Sequence, residues 1–231
     1  RSLLSWADDT AQLADHLEIE QFHVLGGSGG GPYCLACAYA LPLRVISTTI
    51  FSCVSPLNIP GVYKGMAPRN RIAFMSAQWF PFLLRPIASY VEKEFRKNPA
   101  NVLHAITSQP SEWDSKIMLN FQDQGLGEKV IEHFMEAYRQ GIIGKLSDGR
   151  LVTQAWGFPF DAIKTKVFLW HGTADTLTTL KMGRYLANAI PGCEATFVKD
   201  GGHLLLNNPE LAEKMIQKII RTQKDITSPN C

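Results

Sequence analysis

The sequence predicts an α/β fold: a parallel sheet flanked by helices on both faces and interrupted by an inserted helical segment. Three observations carry this reading. Short apolar runs rich in β-branched residues alternate with helical patterns near both ends of the chain. The first such run leads through an unbroken series of Gly and Ser, Gly26 to Gly31, into a proline-led helix. The long stretch 57–155 has helical patterns separated by prolines and glycines, and no strand pattern. Strands separated by helices run parallel, because each crossover carries the chain back over a face of the sheet.

Taken in order, Ser5-Trp6-Ala7-Asp8 resembles a capping box, in which a hydroxyl and a carboxylate satisfy orphan amides at a helix start. Trp6, Leu13 and Leu17, with Ala7, Ala11 and Ala14, then form an apolar stripe at helical spacing. Phe22-His23-Val24-Leu25 is the first strand, and Pro32 heads an unbroken helix, Tyr33 to Leu41. A second strand covers Val45 to Val54 and stops at Ser55-Pro56. In the insertion, Arg71 to Phe80 and Glu128 to Gln140 read as helices. Phe74, Met75, Trp79, Phe80 and Phe82 are expected mostly to pack a small core of their own. A third strand, Val167 to Trp170, runs into His171-Gly172-Thr173-Ala174-Asp175. Residues 180–190 are helical up to Pro191-Gly192, and a fourth strand, Ala195 to Val198, leads to Lys199-Asp200-Gly201-Gly202-His203. The last helix begins near Pro209 and places Leu211, Met215, Ile216, Ile219 and Ile220 on one face.

Composition narrows the function classes. The 231 residues are 45% hydrophobic and 19% charged, which suits a packed globular core and not a disordered segment. Net charge is 23 − 21 = +2 with no dense Lys/Arg run, so nucleic acid is not an expected partner. No apolar stretch is long enough to span a membrane. The cysteines Cys34, Cys37, Cys53, Cys193 and Cys231 are odd in number. They read as buried small side chains in a reducing, cytoplasmic compartment.

Chemistry centres on Gly26-Gly27-Ser28-Gly29-Gly30, which matches G-x-S-x-G. A serine lifted on a sharp strand-to-helix turn takes a strained backbone, and small residues two positions either side let strand and helix approach. The same turn puts the Gly29 amide at a helix start, where it can stabilise an oxyanion. A phosphate loop is excluded because no lysine follows, and the dinucleotide pattern fails because its sixth place falls on Pro32 or Cys34. A serine hydroxyl needs a base held by an acid. Asp175 and His203 stand after the third and fourth strands, in the chain order Ser, Asp, His. Asp200 is a rival acid, but it shares a short loop with His203. His16, His23, His104, His133 and His171 lie in helices, strands or the start of a loop and read as structural. Cys34 and Cys37 are one helical turn apart with no second pair, so core packing is preferred over redox or zinc chemistry. No metal spacing is present, and no cofactor is expected.

With these residues in place, the sequence resembles the α/β-hydrolase superfamily, in its serine-nucleophile branch with a helical cap. The resemblance rests on Phe22 through Tyr33, on Trp156-Gly157-Phe158, on Trp170 through Asp175 and on Asp200 through Leu204. It implies Ser28 as nucleophile, Asp175 as acid, His203 as base and Gly29 as oxyanion donor. It also implies a core formed by 1–56 and 156–231 and a cap formed by 57–155. Serine at position 28 argues against the branches that use an aspartate nucleophile. Members usually carry further strands ahead of the elbow strand and a His-Gly loop with a second oxyanion amide. Here the elbow strand arrives at Phe22, which implies an N-terminally truncated member with an exposed elbow strand prone to self-association. The expected activity is hydrolysis of an ester-type acyl bond in a small-molecule substrate. The competing expectation is a catalytically silent, hydrolase-like module that binds a ligand or partner.

Overall fold

A computed structural model describes residues 1–98 and 111–227 of the chain. Its four strands are β1 (Phe22–Gly27), β2 (Val45–Phe51), β3 (Lys166–Gly172) and β4 (Glu194–Val198), all parallel and paired in the order β1-β2-β3-β4. They extend the sequence expectation by up to two residues at either end, except that β2 stops at Phe51. Ser52 takes a left-handed backbone (φ 43°) there and ends the strand before Val54.

Helix α1 (Leu3–His16) begins three residues earlier than the capping pattern suggests. Ser2 is the cap, its hydroxyl accepting from the Ser5 amide while the Ser5 hydroxyl accepts from the Ser2 amide. The expected apolar stripe is also corrected. Leu3, Ala7 and Ala14 are buried, whereas Trp6, Leu13 and Leu17 are exposed. The two alanines let α1 lie close on its neighbour, which outweighs the larger area that Leu13 and Leu17 would offer. That neighbour is α2 (Gly31–Ala40), with Pro32 in its first turn as the sequence requires.

Between β2 and β3 the described residues hold α3 (Pro68–Trp79), α4 (Pro81–Lys97), α5 (Glu112–Asp123), α6 (Gly127–Ala137) and α7 (Ile143–Thr153), and no strand. Trp79 and Phe80 are exposed and Met75 is partly so, while Phe74 packs against the main core. The side chain of Phe82, like His104 and Cys231, lies outside the described residues. After β3 come α8 (Leu180–Ala189), β4 and α9 (Pro209–Thr227).

The strand period divides the core. Val167 and Leu169 of β3 join Leu3, Leu35, Ile50, Met182 and Leu186 in a cluster with α1, α2 and α8. Trp170 joins Leu205, in the turn before α9, and Met215 on α9, and Lys218 of α9 stands 4.8 Å above the Phe168 ring. With both faces covered, β3 is buried from Val167 to Gly172 and carries a continuous apolar run. Among the described residues of α9 only Met215 is fully buried; Ile216 and Ile220 are half exposed, so the expected apolar face is wider than the buried one.

Candidate active site

The register of a parallel sheet decides what can meet. Gly27 pairs with Phe51, Phe51 with Trp170, and Gly172 with Val198, so the loops after all four strands leave at one carboxyl edge. Ser28, Ser52, Asp175 and His203 are each on one of those loops.

Ser28 follows β1 at φ 53°, the left-handed region that costs a residue with a side chain. The turn is fixed by close packing. A Cβ at Gly26 would stand 2.5 Å from Cys34 Sγ, and one at Gly31 would stand 2.0 Å from Cys53 Sγ. Both positions accept glycine alone without displacement of a buried thiol. Gly30, the second glycine of the motif, faces open space, so its small size is not a packing requirement here. The Ser28 carbonyl accepts from the Val54 amide at 3.2 Å, which ties the turn to the loop after β2. Among the described residues the Ser28 hydroxyl makes no hydrogen bond.

Asp175 and His203 are brought together. Nδ1 of His203 lies 2.9 Å from Oδ2 of Asp175. Oδ1 accepts the amides of Leu177 (2.8 Å) and Thr178 (2.9 Å), the local turn that an Asp side chain forms with residues just after it. Thr178 Oγ1 is 2.7 Å from Asp175 Oδ2, 2.9 Å from the Ser52 carbonyl and 3.2 Å from His203 Nδ1. The Thr178 hydroxyl thus bridges Asp175, His203 and the backbone of the loop after β2. Burial raises the Asp175 pKa, but the His203 charge and hydrogen bond, the His171 charge and the Thr178 hydroxyl outweigh it, and the carboxyl is held below its ordinary value. Burial likewise lowers His203; the Asp175 charge and hydrogen bond and the Asp114 charge outweigh it, and the imidazole is held above its ordinary value.

The rival groups separate cleanly. Asp200 makes no hydrogen bond to His203 and is exposed; its amide is held by Thr173. His171 is fully buried and hydrogen-bonded through Nε2 to the Thr178 carbonyl, so it supports the Asp175 turn; burial lowers its pKa. His23 bridges Ser47 and Gln223. Burial pushes the Cys34 thiol up to about 12 and raises Cys37, which removes thiolate chemistry at that pair. Among the described residues no cluster of His, Cys, Asp or Glu could hold a metal ion, and no helix is long and apolar enough to cross a membrane.

Sequence reasoning missed three residues of the site. Thr178 and Ser52 carry no motif. Ser52 donates its hydroxyl to the His203 carbonyl at 2.7 Å and its amide to the Trp170 carbonyl at 2.9 Å. Asp114, from α5 in the insertion, is buried and accepts the amides of His203 (3.0 Å) and Leu204 (2.8 Å). The pattern Ser111-Glu112-Trp113-Asp114 is a capping box by sequence and marks the helix start, but nothing in it points to residue 203.

No protein-family model matches this sequence, and no curated protein does. Many solved structures match the fold along nearly the whole chain. The enol-lactonase from Burkholderia xenovorans LB400 is 17% identical with a TM-score of 0.60, over 97% of this chain and 74% of its own. Rv0554 from Mycobacterium tuberculosis is 16% identical with a TM-score of 0.62, over 96% and 73%. Est816, described as an N-acyl homoserine lactone degrading enzyme, is 23% identical with a TM-score of 0.52, over 94% and 74%. The chain has the α/β-hydrolase fold.

Proposed function

We propose that the chain is a serine hydrolase that cleaves an ester-type acyl bond in a small-molecule substrate, with Ser28 as nucleophile, His203 as base and Asp175 as acid. The observation that carries this reading is the 2.9 Å bond between Asp175 and His203 at the sheet edge where the strained Ser28 turn also emerges. Asp175 holds the Nδ1 proton, so Nε2 is the basic nitrogen. Ser28 Oγ attacks the acyl carbon and gives its proton to Nε2; the Gly29 amide takes the developing oxyanion. Nε2 returns the proton to the leaving alcohol. Water then repeats the sequence on the acyl-enzyme and releases the acid. The named solved neighbours include two that act on lactones, which are cyclic esters, and this supports the acyl class. Residues 57–155 serve as a cap: Tyr33 of α2 donates to Asp148 of α7 at 2.6 Å, and Asp114 of α5 holds the His203 loop. The test is labelling with a fluorophosphonate followed by peptide mapping. Ser28 is expected to carry the label, Ser28→Ala to lose it, and Ser47→Ala and Ser55→Ala to keep it. Labelling that survives Ser28→Ala defeats the assignment.

A second reading, a silent module that self-associates, is favoured by one observation. Among the described residues β1 pairs with β2 alone, and Leu25 on it is 42% exposed. Light scattering together with ester turnover separates the two: an active monomer excludes the module, and an inactive oligomer excludes the enzyme.

A further inference from the structure

The side chain least accounted for by the proposed chemistry is Asp114. It is 6% exposed, belongs to the inserted helices and touches neither Asp175 nor the imidazole ring by hydrogen bond. Burying a carboxylate is costly unless strong donors meet it. Here Oδ2 accepts the His203 amide and the Ser111 hydroxyl, and Oδ1 accepts the Leu204 amide.

Those two amides are consecutive. The His203 amide belongs to the peptide plane before the His203 Cα, and the Leu204 amide to the plane after it. Each plane is rigid, so pinning both fixes the two soft backbone angles of His203 and with them the direction of its Cα–Cβ bond. Ser52 holds the carbonyl of the second plane from the other side. Asp175 then needs only to set the ring rotation. The loop itself supplies little rigidity, since Gly201 and Gly202 precede His203. Gly202 makes room for this clasp: a Cβ there would stand 2.2 Å from Ser111 Oγ and 2.5 Å from both Asp114 oxygens.

We propose that Asp114 is the positioning residue for the base, a clasp by which the inserted helices fix the backbone of His203 and so the aim of its Nε2 at Ser28. This rests on the catalytic reading of His203. The titratable groups facing the imidazole are Asp175 from the loop after β3, His171 from β3 behind it, and Asp114 from α5. Loss of the Asp114 charge therefore also lowers the imidazole pKa.

The experiment compares the whole chain with Asp114→Asn and Gly202→Ala, with Glu112→Gln on the exposed face of α5 as control. Three readouts are taken: the His203 titration by NMR, kcat and KM for a short-chain p-nitrophenyl ester, and the rate of fluorophosphonate labelling. Asp114→Asn is expected to lower the His203 midpoint, because it removes a negative charge that favours the imidazolium. It is also expected to reduce kcat about 10–100-fold with little change in KM, as misaimed groups do. Gly202→Ala, which pushes the clasp away with its charge intact, lowers kcat in the same direction. Glu112→Gln changes none of these. A folded Asp114→Asn protein with unchanged titration and unchanged kcat overturns the proposal. If Asp114→Asn does not fold, unchanged kcat in Gly202→Ala overturns it. A wild-type chain that is not labelled at Ser28 defeats the hydrolase reading instead, while the NMR titration still reports whether Asp114 governs His203.

Discussion

On one side of the candidate site, Asp175 is buried with four donors on its two oxygens, and His203 is bonded through its ring, its amide and its carbonyl. On the other side, Ser28 sits in a left-handed backbone held by packing of glycines against thiols, and its hydroxyl has no partner among the described residues. The Asp175–His203 pair is thus held by directional bonds between loops from β2, β3, β4 and α5. Ser28 is held by the shape of a strand-to-helix turn. Removing a hydrogen bond should damage the first half, and adding a methyl group should damage the second.

The sharpest way to break this contrast is Asp175→Asn. It keeps the size of the side chain but loses the charge and the correct imidazole tautomer, so turnover is expected to fall by about 10⁴-fold while Ser28 keeps its place. Steady-state kinetics with an ester substrate measure the first effect. On the packing side, Gly31→Ala drives a Cβ into Cys53 and is expected to cost about 1–3 kcal/mol in chemical denaturation. Combining it with Cys53→Ala should recover part of that loss, which a hydrogen-bonding origin would not allow.

Ser28→Gly should move stability the other way. It removes the side chain from a left-handed position and is expected to raise stability by about 1 kcal/mol while eliminating labelling. A thermal melt that falls instead would show that the turn is not strained.

The pH dependence sharpens the same comparison. Protonated His203 cannot accept the Ser28 proton, so activity falls with acid through a midpoint above the ordinary imidazole value of about 6.5. Stability responds with the opposite sign. The raised His203 pKa contributes fully below the unfolded imidazole value and is lost as pH rises through the folded one. The depressed Asp175 pKa contributes above the unfolded carboxylate value and is lost as pH falls through the folded one. The Asp175–His203 pair is therefore most stabilising where the expected activity is falling. Melts and rates across pH, compared between wild type and Asp175→Asn, check this. The smallest effect is expected for Asp200→Asn, whose side chain is exposed and has no bond to the base; its kcat should stay within about twofold of wild type.

The sequence by itself determined the sheet order's raw material and the three side chains of the proposed triad. β-branched runs, a glycine-serine turn before Pro32, and Asp and His residues just after later strands are local patterns, and local sterics suffice to read them. It misread α1, where small alanines and not the larger leucines face the core, because which face is buried depends on how closely α2 approaches. Phe74 of the insertion packs against the main core for the same reason: burial belongs to the partner as much as to the residue. Thr178, Ser52 and Asp114 were illegible because their partners are far away in the chain. Asp114 is 89 residues from His203, and Thr178 is 126 from Ser52. Only the parallel register, which delivers four loops to one edge, sets those groups within hydrogen-bonding distance, and a bond of that kind leaves no period or spacing in the sequence.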